Sequence, residues 1–92
     1  MKTINNNTKK AQAYIYAYNN SDIYSLREAY GRPSTAKIQA DYECRRMMQS
    51  EGGHGYKIIA HCRNFFTVAW IAGNALRIET ARYSFIIPEV AE

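Results

Sequence analysis

The apolar residues of this chain change their period once, at Gly52-Gly53-His54-Gly55. Before that stretch they recur about every three to four residues, the spacing of a helix buried on one side. After it they alternate, the spacing of a strand. A chain that keeps the two periods apart folds as α+β. The expectation is one domain over residues 1–92, with three N-terminal helices packed on one face of a three- to four-stranded antiparallel meander.

The helical half carries its own punctuation. Asn5-Asn6-Asn7 reads as a helix entry, because asparagine caps helices well. Thr8 to Tyr18 then places Ala11, Ile15 and Tyr18 on one stripe, with Tyr14 beside it. Asn19-Asn20-Ser21 ends that helix. Ser21 or Asp22 is the expected cap of a short second helix, in which Ile23, Leu26 and Tyr30 share a face and Gly31 supplies the stop. Pro33 enforces a turn, and Ser34 caps a third helix running to about Glu51. Its apolar stripe is Ala36, Ala40, Cys44 and Met47, with Met48 at the edge, while Ile38, Tyr42, Arg45, Arg46 and Gln49 lie on another side.

The alternating half reads as strands at Tyr56 to Cys62, Phe65 to Ala72 and Ala75 to Thr80, with a fourth at Tyr83 to Ile87 before Pro88. Gly73-Asn74 suits a two-residue hairpin, glycine first. Arg63-Asn64 is a second candidate turn. Together they set Ile71 against Leu76, Ala69 against Ile78, Trp70 against Arg77 and Ile58 against Ala69. Tyr56, Ile58, Ala60, Cys62, Phe65, Thr67, Ala69, Ile71, Leu76 and Ile78 then share the helix-covered face. Lys57, Ile59, His61, Phe66, Val68, Trp70, Arg77 and Glu79 share the other.

Catalytic chemistry has little to stand on. A phosphate-binding glycine loop joins a strand to a helix, and Gly52-Gly53-His54-Gly55 stands in the opposite order; it fits a helix stop better. His54, His61, Cys62 and Cys44 are the metal candidates, but His61 and Cys62 are neighbours on a strand and point apart. Both cysteines fall on covered faces, and no spacing pairs two carboxylates at a cleft. No enzyme, metal or cofactor is expected. The expected location is the cytoplasm, because the chain shows no apolar run long enough to span a membrane, no apolar leader, and too few cysteines for a disulfide framework.

What remains is surface. Twelve Lys and Arg stand against eight Asp and Glu, a balance that admits nucleic acid or an acidic protein surface as partner. Two surfaces combine basic and aromatic residues. The sheet face (Lys57, His61, Phe66, Trp70 and Arg77) has the ingredients with which sheet platforms stack single-stranded bases, unless the C-terminal segment or a second copy of the chain covers it. The third helix offers a ridge of Tyr42, Arg45 and Arg46, the composition favoured at binding hot spots.

One recurring spacing adds context. Tyr24-Ser25-Leu26, then Ala29-Tyr30-Gly31-Arg32-Pro33-Ser34-Thr35-Ala36-Lys37, Cys44 and Gly55-Tyr56-Lys57-Ile58-Ile59-Ala60-His61 resemble small accessory proteins carried by phages and mobile elements of gut Firmicutes. In those, a YG-x-x-S-x-A-K turn precedes a Cys-bearing helix and a G-Y/L-K-I-I strand. The resemblance spans roughly residues 20–87 and brings no catalytic residue. It implies a phage-borne, non-enzymatic anti-defence inhibitor of the anti-CRISPR type, which occludes a surface of a Cas-type nuclease or nucleoprotein complex. Many such inhibitors are acidic DNA mimics. This chain is basic, so the implied contact is guide RNA, or an acidic or apolar patch of the protein. The alternative expectation is a small basic nucleic-acid-binding accessory protein.

Overall fold

The computed structural model describes residues 2–3, 8–59 and 66–90. A short strand β1 (Lys2–Thr3) precedes three helices, α1 (Lys9–Asn19), α2 (Leu26–Tyr30) and α3 (Thr35–Ser50). Strands β2 (His54–Ile58), β3 (Thr67–Ala72), β4 (Ala75–Thr80) and β5 (Ser84–Ile87) follow. The sheet order is β1-β5-β4-β3-β2: an antiparallel meander of four strands, extended at its far edge by β1 lying parallel to β5. The helices therefore do not open the chain, as expected from the sequence, but follow a strand.

Capping residues set the helix limits. The Thr8 side chain accepts from the Ala11 N–H, and the Ser34 hydroxyl accepts from the Lys37 N–H, each satisfying a donor that the first turn leaves free. The second helix starts later than expected. Ser25 is its cap, in a reciprocal box with Glu28, while Ser21 is buried and donates to the Ile58 carbonyl at 3.1 Å. Ile58 in turn donates its N–H to the Ile23 carbonyl at 2.8 Å. Ser21 and Ile23 thus cover the outer edge of β2, where another chain could otherwise pair.

At the end of α3 the Gly53 N–H reaches the Met48 carbonyl and the Gly52 N–H reaches that of Gln49, with Gly52 at φ +68°. This pair of bonds, with its left-handed glycine, closes a helix C-terminus. Gly53 is needed for a different reason. A Cβ there would stand 2.8 Å from the Ile71 carbonyl oxygen and 2.9 Å from Trp70 Cδ1, so α3 can meet the sheet this closely only without a side chain.

Two hydrophobic clusters lie on opposite faces of the sheet. Ala11, Tyr14 and Ala17 of α1 pack on Ile59, Ala69, Leu76, Ile78, Phe85 and Ile87. Cys44 of α3 packs with Tyr56, Ile58, Phe66, Val68 and Trp70, joined by Leu26 and Tyr30 of α2 and by Ala40 and Met48 of α3. The helices do not share one face; they sandwich the sheet. Both faces of β3 are apolar, Ala69 on one and Val68 with Trp70 on the other, and the β2–β3 register also differs from expectation. Lys57 pairs with Ala69 and Ile58 with Val68, one residue away from the expected pairing of Ile58 with Ala69. A slip of one exchanges every side chain between faces, so Tyr56 and Ile58 join Trp70 while Ile59 joins Ala69. The β3–β4 register agrees with expectation at Ala69 with Ile78, Trp70 with Arg77 and Ile71 with Leu76. The Arg63-Asn64 turn and the Asn5-Asn6-Asn7 entry lie outside the described residues.

Candidate functional site

The face on which Trp70, Phe66 and Arg77 were expected to meet a ligand is interior. Their exposures are 0%, 6% and 5% under α3. Within it runs a linked series of stacked groups. The Arg45 guanidinium lies 4.1 Å from the Tyr56 ring centroid, Tyr56 stacks on Trp70 at 6.0 Å with planes 14° apart, and the Arg77 guanidinium lies 5.3 Å from the Trp70 ring. Each cation has carboxylate partners. Arg45 Nε donates to Asp41 at 2.9 Å, and Arg77 donates to both Glu51 and Glu79. Glu51 also accepts from Trp70 Nε1 at 3.0 Å. A carboxylate at the C-terminus of α3 is badly placed against the helix dipole; the Arg77 charge beside it offsets that cost. These residues hold α3 to the sheet and leave no platform for a base.

The same surroundings make neighbouring groups weaker acids. Burial, reinforced by the hydrogen bond to Asp41, holds the Tyr56 phenol well above the ordinary tyrosine range, and its hydroxyl donates to Asp41 Oδ1 at 2.6 Å. Burial first, and then the Glu79 carboxylate, push the Cys44 thiol up to about 12, so it stays protonated and is no nucleophile near neutral pH. Among the described residues no three His, Cys, Asp or Glu side chains gather at one point, and no helix is long and apolar enough to cross a membrane. His61 and Cys62 lie outside the described residues.

Lys57, the remaining member of the expected sheet face, moves to the α1 side with the register slip. Its ammonium donates to the Tyr18 carbonyl at 2.9 Å and lies 4.3 Å from the Tyr18 ring centroid, closing the end of α1. Of the expected helix ridge, Arg45 is committed internally: besides Asp41 and Tyr56, it donates to the Tyr24 carbonyl at 2.7 Å. Tyr42 and Arg46 are exposed, with the Arg46 guanidinium 5.9 Å from the Tyr42 ring.

Two further residues belong to this surface. Ile38 is 51% exposed and Tyr42 59%, so Ile38, Tyr42 and Arg46 form one row at successive turns of the solvent face of α3. Met47, expected in the core stripe, is instead 36% exposed, and its thioether accepts from Arg77 at 3.4 Å. With Glu43, Arg46 and Ser50 it lines a shallow, open depression of about 240 Å³ beside the row. Helical spacing places Met47 in the Cys44 stripe and Met48 at its edge; in the structure Met48 packs inward and Met47 lies beside Arg77. No family model matches this sequence, and no curated protein or solved structure matches it either.

Proposed function

We propose that this is a non-enzymatic binding protein that acts through the solvent face of α3, as a phage-encoded anti-defence inhibitor of the anti-CRISPR type, in the cytoplasm of an infected bacterium. The observation that carries the reading is the row Ile38, Tyr42 and Arg46, an isoleucine and a tyrosine each more than half exposed on a helix whose other side is anchored to the sheet. Large apolar side chains held out in water on a rigid element, with an arginine among them, are the composition of an interface hot spot. The target class, a host nuclease or its nucleoprotein complex, rests on the resemblance carried by Tyr30-Gly31 to Lys37 and by Gly55 to Ile59. The nucleic-acid reading draws on the basic balance and on a sheet face whose Phe66, Trp70 and Arg77 are buried.

The test is cleavage of a target duplex by a purified RNA-guided nuclease from a Firmicutes host, with the protein added in increasing amount. Inhibition is expected, with a half-inhibitory concentration raised at least about tenfold by the Tyr42→Ala, Arg46→Ala double variant, because two hot-spot truncations each cost more than about 1 kcal/mol. Its melting curve should match that of the parent. Undiminished cleavage at saturating protein would remove the nuclease as target.

A further inference from the structure

The formal charge of +4 suggests a surface for phosphates, but five of the twelve Lys and Arg are committed to contacts within the fold. Affinity for a nucleic-acid backbone comes from several cations tracking successive phosphates. Here Lys10 lies over Phe85 at 4.3 Å and Lys57 over Tyr18 at 4.3 Å on the α1 side, whereas Lys37 lies over Tyr30 at 4.9 Å at the start of α3. Arg45 is paired with Asp41, and Arg77 is buried between Glu51 and Glu79. These five cations are divided between the two sides of the sheet and held on aromatic faces or carboxylates. Arg46 differs. Among the described residues it forms no ion pair, and it projects from the same face of α3 as Ile38 and Tyr42. Glu43, its neighbour across the depression, is engaged with the Gln39 amide at 3.2 Å.

We infer that the α3 ridge binds an acidic amphipathic segment of a partner protein, laid along the helix with apolar residues against Ile38 and Tyr42 and a carboxylate on the Arg46 guanidinium. The inference rests on α3 being the binding face, as proposed above. It takes its partner chemistry from charge complementarity, since an arginine with no carboxylate partner among the described residues, at the end of an apolar row, matches one carboxylate. A planar guanidinium also accepts a carboxylate through two parallel hydrogen bonds, which fixes the direction in which the segment lies.

A random peptide library displayed on phage, selected on the full chain, tests this without a known target. Selected peptides should be enriched in Asp or Glu beside apolar residues. Measured by fluorescence anisotropy, Arg46→Glu should weaken them at least about tenfold, as should Tyr42→Ala. Replacing the peptide carboxylate by lysine should restore binding to Arg46→Glu. Failure to select peptides, peptides without carboxylates, or binding indifferent to both substitutions would overturn the inference. So would salt-dependent binding of a fluorescent single-stranded DNA that Arg46→Glu abolishes, because the ridge would then serve phosphates. The nuclease assay reports separately: acidic peptides bound at the ridge without nuclease inhibition would remove the anti-defence reading and leave the ridge chemistry standing.

Discussion

The two faces of one sheet are closed by different means. Under α1, Ala11 and Ala17 let the helix lie close on Ala69, Leu76, Ile78 and Ile87, and the contact is almost entirely apolar. Under α3, the sheet presents Val68 and Trp70 together with Arg77 and Glu79, and the covering helix answers with Asp41, Cys44 and Glu51. Apolar contact is non-directional, so the α1 face tolerates small rearrangements. A buried arginine is not so forgiving: its partners must be in place, and removing one leaves an uncompensated charge. Arg77 Nε, buried and with no hydrogen-bond partner among the described residues, shows that the network around it is incompletely satisfied there. The difference teaches that α1 is held by area and α3 by position. That fits their roles, for α3 displays the row proposed to bind and its orientation has to be fixed.

The largest expected effect breaks the α3 side. Arg77→Ala should lower unfolding stability by about 3–5 kcal/mol, the usual cost of stranding one member of a buried ionic group. Replacing Arg77 by Met and Glu79 by Leu together should recover part of it, because the more buried carboxylate goes too while Glu51 keeps its bond from Trp70 Nε1. Urea unfolding of the two variants measures this. A loss below about 1 kcal/mol for Arg77→Ala would mean that both faces are held alike.

Next comes Tyr56→Phe, which removes the hydroxyl donated to Asp41 and should cost about 1.5–3 kcal/mol, as for hydrogen bonds to charged groups. It also sharpens the contrast through pH. The folded-state value of Tyr56 lies above its unfolded value of about 10. Its contribution is therefore complete below pH of about 10 and is lost as pH rises beyond that, because the unfolded chain releases the proton first. The Cys44 thiol, pushed up to about 12, acts in the same direction from its ordinary range near pH 9 upward. Stability measured in urea should fall steadily from pH 9 to pH 12, with a shallower slope in Tyr56→Phe. An unchanged slope would place the alkaline sensitivity elsewhere.

The smallest effect belongs to the α1 side. Ile78→Val deletes one buried methylene and should cost about 0.5–1.5 kcal/mol, with no dependence on salt or on pH between 5 and 9. A salt-dependent cost, read from unfolding at low and high ionic strength, would show that the two faces are coupled through β4, which carries Ile78 beside Arg77 and Glu79.

Local chemistry made much of this fold legible. Ser34, Gly31 and Gly52 mark helix ends because caps and left-handed glycines act within a few residues. Gly73-Asn74 fixed the β3–β4 register because a two-residue turn leaves the strands no freedom to slide. The β2–β3 register had no such lock, since Arg63-Asn64 is a poor turn, and a slip of one inverted the faces of Tyr56 and Ile58. In the site it moved Lys57 to the α1 side. Phe66, Trp70 and Arg77 read as a basic aromatic surface because composition cannot show that Glu51, nineteen residues before Trp70, supplies a buried partner.

The sequence by itself determined the α+β class, the helix stops, the β3–β4 hairpin and the exposed positions of Tyr42 and Arg46, all of which follow from periodicity and short-range hydrogen bonding. The tertiary structure alone decided that the sheet is covered on both faces, that Arg45 and Arg77 are structural cations, and that Met47 faces the surface while Met48 packs inward. The first depends on how apolar faces pack, and the other two on which groups meet across the fold. The energy of a charge is set by its distance from its partner and by the water excluded around them, and neither quantity is written in the order of residues along the chain.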